Sequence, residues 1–218
     1  MEARAVSREP DLSVEQRLWA SGYTRVAGLD EAGRGAWAGP VVAAAVILAS
    51  NRPDLLDCLA PVRDSKLLSP AQRERCYGLI VENALAYGAA AVPPGEIDRI
   101  GIVPATRRAM ALAVARCCPS PDYLLIDALP IPEVDTPQYV TNKGDLLHLS
   151  ISAASIIAKV TRDRMMVGLD ARLSGYGLAR HKGYGTTFHR EALWERGVSS
   201  EHRRSYAPVR EVLEGHDG

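Results

Sequence analysis

Residues 41–48, VVAAAVIL, are apolar at every position. That is the pattern of a strand covered on both faces, not of one with a wet side. The apolar lead-in at 26–29 predicts a first strand ending at Asp30, and the second is expected over 36–49, with Gly33 and Gly35 suiting a tight reversal between them. Upstream, residues 12–20 read as a short amphipathic helix stopped by Gly22. Ser69-Pro70-Ala71-Gln72 joins an N-cap serine, a proline at the first helical position and a glutamine three residues after the cap. The helix it opens runs to about Asn83, with Cys76, Leu79, Ile80 and Asn83 on one face. A third strand is expected over 85–92, broken by Pro93-Pro94, with a helical turn at 96–99. Residues 104–118 predict a long helix turning Met110, Ala113, Val114 and Cys117 inward. Residues 122–127, DYLLID, read as a strand ending in an acid, 128–136 as a proline-rich loop and 138–141 as a short strand. In the long helix expected over 149–166, Ser150, Ser152, Ala153, Ala154, Ser155 and Ala158 are small enough to lie very close to a sheet. A glycine-rich loop follows at 175–185, then a helix over 189–196 ended by Gly197, then a short terminal helix. Strands first, then strands mixed with helices, imply an α/β domain with an antiparallel hairpin beside parallel strands. Residues 1–11 are expected to be a disordered tail, and 12–218 one domain with a helical segment from about 186.

Composition narrows this little. At 218 residues, 47% apolar and 24% charged, the chain suits one domain with a real core. No apolar run is long enough to span a bilayer, and the first sixteen residues lack the apolar core of a signal peptide, so a cytoplasmic location is expected. Cys58, Cys76, Cys117 and Cys118 lack metal-ligand spacing and are read as reduced, buried thiols. Net charge is zero, which argues against indiscriminate polyanion binding. The charge is unevenly spread: residues 140–204 hold 11 Lys/Arg against 6 Asp/Glu, a balance of +5, whereas residues 1–139 hold 14 against 17, a balance of −3. A basic later third suits a phosphate-binding face, although chance scatter would also give such an imbalance.

The chemistry lies in acids placed at element ends: Asp30 and Glu31 after the first strand, Asp127 after DYLLID, and Asp145 just before a helix. Carboxylates at a buried strand end are costly unless a cation meets them. If those ends adjoin, four acids converge on a small volume and their repulsion calls for divalent cations. Oxygen ligands without His or Cys favour Mg²⁺ or Mn²⁺ over zinc. Two such ions roughly 3.5–4 Å apart are the arrangement for in-line displacement at phosphorus. A phosphodiesterase reaction is therefore the natural use of the cluster. Ser155 has no histidine nearby in sequence and no nucleophile-elbow pattern, and Gly33-Arg34-Gly35 lacks the spacing of a dinucleotide or P-loop fingerprint.

GLDEAGRG, GPVVAAAV, DSKLLS, LLID, KGD, SAASIIAKVTRD, HKGYGT and HRRSYAPV occur here in the order found in bacterial ribonuclease HII, which the chain resembles over about residues 12–210. The resemblance implies a ribonuclease H-like fold, a mixed central sheet flanked by helices with a small C-terminal helical extension. It implies hydrolysis of RNA in RNA–DNA hybrids and incision 5′ of ribonucleotides embedded in duplex DNA. By motif position Asp30, Glu31, Asp127 and Asp145 are the metal-binding acids, and Gly33, Arg34, Gly35 and Tyr184 sense the RNA-to-DNA junction. A 2′-hydroxyl is what separates the two sugars; glycine backbone can reach it, Arg34 can hold a phosphate and Tyr184 can stack on the next deoxyribose. Ser65 and Lys66 are expected on the other strand's backbone. Lys143, His181 and Lys182, each otherwise an ordinary solvated loop side chain, join the substrate-binding set. Leu67, Ala128 and Gly185 depart from the pattern, standing where lysine, glycine and proline are usual. Gly185 is expected to make the Tyr184 loop more mobile. A type HIII enzyme would carry an extra N-terminal domain, for which residues 1–25 are too few. A monomer is expected, and no protein partner is legible. Other nucleases of this fold, and a silent hybrid-binding module, stay open as alternatives.

Overall fold

The computed structural model describes residues 9–216. The expected tail at 1–8 lies outside these residues. Asp11, the last residue of the expected tail, is engaged, because its amide donates to the Leu147 carbonyl and its carbonyl accepts from the Leu149 amide.

Five strands, β1 (Val26–Ala32), β2 (Val41–Leu48), β3 (Ala84–Val92), β4 (Tyr123–Asp127) and β5 (Gln138–Thr141), form one sheet in the order β3-β2-β1-β4-β5. β1, β2 and β3 are joined antiparallel, whereas β4 runs parallel to β1 and β5 parallel to β4. Helices α1 (Ser13–Ala20), α2 (Leu55–Cys58), α3 (Pro70–Asn83), α4 (Pro94–Ile100), α5 (Ile102–Ala115), α6 (Leu149–Arg172), α7 (Leu178–His181), α8 (Thr187–Arg196) and α9 (Ala207–His216) cover it. The capping box read at Ser69 is formed, with Ser69 and Gln72 each accepting from the other's backbone amide.

Several boundaries differ from expectation: β1 runs two residues past Asp30, to Ala32, and α5 ends at Ala115, three residues short of the expected 118. The second strand starts at Val41, not 36, because Gly39 turns with a positive φ of 80° and Ala38 pairs with His202 instead of β1. α6 runs six residues further than expected, to Arg172. The stretch 175–185 is not all loop, since it contains the single turn α7. Of the four cysteines, all free, Cys76 and Cys117 are buried, Cys118 is exposed and Cys58 is half-buried.

One face of the sheet packs on α5 through Ala27, Leu29, Ile126 and Met110. The other packs on α3 and α6 through Ala44, Val46, Ile80, Ala154 and Ile157. α6 touches the sheet with nothing between them at Gly28, where a Cβ would lie 2.1 Å from the Ser150 carbonyl carbon. The small residues 150–158 permit this approach. Glu15 of α1 fixes the start of α6, its buried carboxylate accepting from the Ser150 amide (3.1 Å) and hydroxyl (2.7 Å). A third cluster joins the end of α6 to α7, α8 and α9 through Met166, Leu178, Leu193 and Val209.

Gly28→Ala drives a methyl into helix backbone that cannot swing aside. We expect it to lower unfolding stability by about 1–3 kcal/mol, the scale of core overpacking. Urea denaturation checks this, and an unchanged midpoint would show that α6 can be displaced freely.

Candidate active site

Leu29 on β1 pairs with Ile126 on β4, so Asp30 and Asp127 each stand one position beyond that pair. Alternation along both strands then turns the two carboxylates to the same, α6-covered side. Asp145 comes beside them from the short 3₁₀ turn Gly144–Leu146, whose Gly144 amide donates to Asp127 Oδ1 at 2.9 Å. Glu31 follows on β1 and pairs with Arg34 at 3.2 Å. The Lys66 ammonium lies 3.2 Å from Asp145 Oδ2.

Burial first, then the charges of Glu31 and Asp127, hold the Asp30 carboxyl well above the usual carboxylate range. Burial likewise raises Glu31, against the opposing charge of Arg34. Asp127 is raised by burial and by Asp145, with the Gly144 amide working the other way. At Lys66, burial is outweighed by the hydrogen bond and charge of Asp145, which raise its pKa.

The donor set fits a hard divalent cation. It is all oxygen, its members repel one another, and Glu31 Oε2 is buried without a hydrogen-bond partner. The four acids are coupled but not as tightly gathered as the sequence suggested. Among the described residues, no three His, Cys, Asp or Glu side chains lie close enough to hold an ion as they stand. Arg34 and Lys66 each engage one of the acids.

The loop after β1 wraps around two arginines. Arg162 of α6, fully buried, donates to the carbonyls of Pro40 (2.9 Å), Ala38 (3.1 Å) and Lys182 (2.9 Å). A Cβ on Gly33 would fall 1.9 Å from its Nε. Arg203, equally buried, donates to the carbonyls of Gly39 and Arg34. The Tyr184 ring is exposed, 5.4 Å from the Arg162 guanidinium carbon. Two arginines of the basic third thus serve the interior, not a phosphate-binding surface.

Other expected contacts separate here. Ser65 is buried and its hydroxyl meets that of Ser155 at 2.9 Å, so it faces the support of Asp30 and not a nucleic-acid strand. His181 is half-buried, its Nε2 donating to the Tyr176 carbonyl (2.7 Å) and its Nδ1 accepting from the Gly183 amide (3.2 Å). Lys182 turns its ammonium to the Ala179 carbonyl. Lys143 is exposed, in a left-handed conformation beside Asp145. Gly35 is open, with no heavy atom within 4 Å of a Cβ placed there. Gly185 is not simply loose: a Cβ there would lie 2.0 Å from the Trp37 ring, which fills the space. Ala128 holds a φ of 64°, the left-handed conformation that glycine adopts without cost. Beyond Tyr184 opens a groove of about 740 Å³ whose charged lining is Arg73, Lys159, Arg164, Arg180 and Lys182 against Glu74 and Asp163. Sequence reasoning missed Ser155, Lys159, Arg162, His189, Arg203 and Trp37. The signal for Ser155, Lys159 and Arg162 was charge and hydroxyls inside the small-residue helix SAASIIAKVTRD, Arg203 lay within HRRSYAPV, and Trp37 and His189 carried none.

Fold and site together define a ribonuclease H-like protein, with its acids at adjacent strand ends of a mixed sheet. The ribonuclease HII family model matches residues 27–209. Ribonuclease HII of Chloroflexus aggregans (strain MD-66 / DSM 9485) is 53% identical over 208 residues, 94% of this chain and 97% of that protein. Ribonuclease HII of Dehalococcoides mccartyi (strain ATCC BAA-2266 / KCTC 15142 / 195) is 48% identical over 205 residues, 94% of this chain and 96% of that one. The crystal structure of ribonuclease H2 from Pyrococcus horikoshii OT3 superposes with a TM-score of 0.77 at 28% identity, covering 88% of this chain and 99% of that one. The chain belongs to the ribonuclease HII family. It is a ribonuclease H enzyme, a divalent-metal-dependent endonuclease of a family that acts on RNA–DNA hybrids.

A carboxyl whose folded pKa is raised lowers stability as pH rises through that pKa, because the unfolded chain ionises more readily. Asp30→Asn removes this penalty while keeping an oxygen for the Glu31 amide, which Asp30 Oδ1 meets at 2.7 Å. In EDTA at about pH 8 the variant is expected to be more stable than wild type by on the order of 1 kcal/mol. The gain fades as pH falls below the folded pKa. Urea unfolding across pH checks it, and a less stable variant at the alkaline end would reject the repulsion account.

Proposed function

We propose that this enzyme incises 5′ of ribonucleotides embedded in duplex DNA and hydrolyses the RNA strand of long RNA–DNA hybrids, leaving 3′-hydroxyl and 5′-phosphate ends. The observation that carries the reading is the set of buried, mutually repelling acids beside the open backbone of Gly35 and the exposed Tyr184 ring. Asp30, Glu31, Asp127 and Asp145 would hold the cations, Mg²⁺ or Mn²⁺. Two bound ions would supply an activated water and neutralise the leaving 3′-oxygen.

The chain's own groups do the rest. Ser155, hydrogen-bonded to Asp30 and braced by Ser65, fixes the first carboxylate. The Gly144 amide fixes Asp127. Arg34, released from Glu31, binds a phosphate, and Lys66, expected on the other strand's backbone but with its ammonium 3.2 Å from Asp145, steadies charge on the scissile phosphate instead. Tyr184 meets the sugar after the ribonucleotide, where a second 2′-hydroxyl would crowd its ring. The basic groove beyond it carries the backbone onward, its binding weakening with salt as counterions are released. The protein acts as a monomer in the cytoplasm.

Cleavage of a duplex with one embedded ribonucleotide, set against an all-DNA duplex, is the deciding experiment. Cutting both points to another nuclease of this fold, and binding without cutting to a silent module. Asp127→Asn is expected to abolish cleavage and leave hybrid binding intact, since an amide coordinates weakly and repels no polyanion. Wild-type turnover in Mg²⁺ would remove Asp127 from the site. Tyr184→Ala is expected to cost embedded substrates at most about tenfold more than long hybrids, since stacking is worth about 1–3 kcal/mol per base and a sugar offers less. Equal losses would make it an ordinary loop tyrosine.

A further inference from the structure

Behind Tyr184 lies a row of histidines that the reaction does not use. Ser199 offers its amide to His202 Nδ1 at 3.1 Å, with its hydroxyl 2.7 Å from the same nitrogen. His202 Nε2 is 3.1 Å from His189 Nε2, and His189 Nδ1 is 3.0 Å from the Tyr184 carbonyl oxygen. The two ends of this row fix its direction. A backbone amide can only donate, so His202 Nδ1 is an acceptor and its proton sits on Nε2. A carbonyl can only accept, so His189 carries its proton on Nδ1 and presents Nε2 bare. The bare nitrogen faces the protonated one, and each ring holds a single proton. The chain is therefore complete and neutral, with no slot for another proton. Burial pushes both imidazoles down to about 4, which keeps them in this form.

The row connects the two loops beside the acids. His202 pairs with Ala38, and the Arg203 amide donates to the Trp37 carbonyl at 2.8 Å, both on the loop that follows Gly35. His189 is stacked on His181 at 4.4 Å and packed against Trp37 at 5.5 Å. The Tyr184 carbonyl also accepts from the Thr186 amide at 2.9 Å.

We propose that His189 and His202 are positioning residues whose directed hydrogen-bond chain sets the Tyr184 ring against the Gly33–Gly35 backbone, and so sets the choice between an embedded ribonucleotide and a long hybrid. The functional half rests on Tyr184 meeting the sugar, as read above. Neither histidine touches substrate.

Two substitutions separate the chain from mere packing. His189→Asn puts an amide nitrogen where Nδ1 stood and keeps the donor to Tyr184. His189→Gln puts its amide where Nε2 stood, keeping a partner for His202 but withdrawing the donor. The measurement is the ratio of kcat/KM on a singly ribonucleotide-substituted duplex to that on a long hybrid. The Gln variant should lower the ratio about three- to tenfold, the size of one neutral hydrogen bond, with the Asn variant within about twofold of wild type. Equal changes in both, or a wild-type ratio in the Gln variant, would overturn the proposal. If neither variant folds, imidazole nitrogen NMR of the wild-type protein at neutral pH decides: His202 protonated on Nε2 and His189 on Nδ1 support it, and any other tautomers overturn it. The Tyr184 reading has its own control. If Tyr184→Ala leaves the ratio unchanged, the selectivity claim falls with that reading. The positioning claim then stands or falls on exchange of the Thr186 amide, which should be faster in the Gln than in the Asn variant and overturns it if equal.

Discussion

Helix α6 rests on β1 with no side chain between them at Gly28, and this contact sets the height of every part of the site. Interiors pack at crystal-like density, so a helix held this close cannot drift. Its successive turns then arrive under different parts of the site: Ser155 beneath Asp30, Arg162 beneath Gly33, and Met166 beneath Gly39 and Gly183. Gly33 is bare for two reasons at once, a φ of 93° and the guanidinium lying where its Cβ would be.

The electrostatics are divided in a way that costs stability. At the strand ends, carboxylates are buried within reach of one another's charge. Further along, Arg162 of α6 and Arg203, between α8 and α9, are buried on backbone carbonyls, with no carboxylate in salt-bridge contact among the described residues. Burial brings Arg162 down to about 10, which still leaves it charged at neutral pH. A buried ion without a counter-ion survives only if its donors are matched, and each guanidinium has at least three hydrogen bonds. The negative end suits cations, whereas the buried positive end holds loop backbone in place. Consistency of fold is given up at the functional site and nowhere else in the sheet, where β2 is apolar throughout.

Much of this was legible. Acids at strand ends, the Ser69 cap and the small-residue helix are local signals, and each needs only a few neighbouring residues to be read. What failed to show was long-range. Residues 36–40 look like more strand because they are small and apolar, yet Ala38 is drawn off to His202. Ser65 looks like a surface hydroxyl because its inward partner, Ser155, is ninety positions away. Arg162 looks like a solvated helix residue, since no pattern announces that three carbonyls from two loops will converge on it. Gly185 reads in sequence as a loosened loop, yet the Trp37 ring occupies the space beside it, so its meaning belongs to the pair. Ala128 is the reverse case: the suspected departure is real strain, because the loop keeps the left-handed conformation at a residue with a Cβ, at about 1–2 kcal/mol.

The C-terminal helical segment, expected as an appendage, is a wall of the site. The Gly39 amide donates to the Glu201 carbonyl at 2.8 Å, Arg203 reaches the Arg34 carbonyl, and the Tyr206 hydroxyl donates to the same oxygen. Asp98 in turn accepts from the amides of Arg204 and Ser205, both at 2.9 Å, tying the segment to α4. Three of the acids, Asp30, Glu31 and Asp127, belong to the sheet itself, and the Gly144 amide pins Asp127 to the turn that carries Asp145. Tyr184 and the Arg34 backbone answer to the helical cluster. Chemistry and recognition thus draw on different parts of one core, joined through α6. Loosening the helical cluster disturbs the placement of Tyr184 and the Gly33–Gly35 loop before it disturbs the carboxylates, because the cluster's hydrogen bonds end on those loops and not on the strands. On the proposed role of Tyr184, discrimination between sugars is therefore the more fragile property, and the cut itself the more robust one.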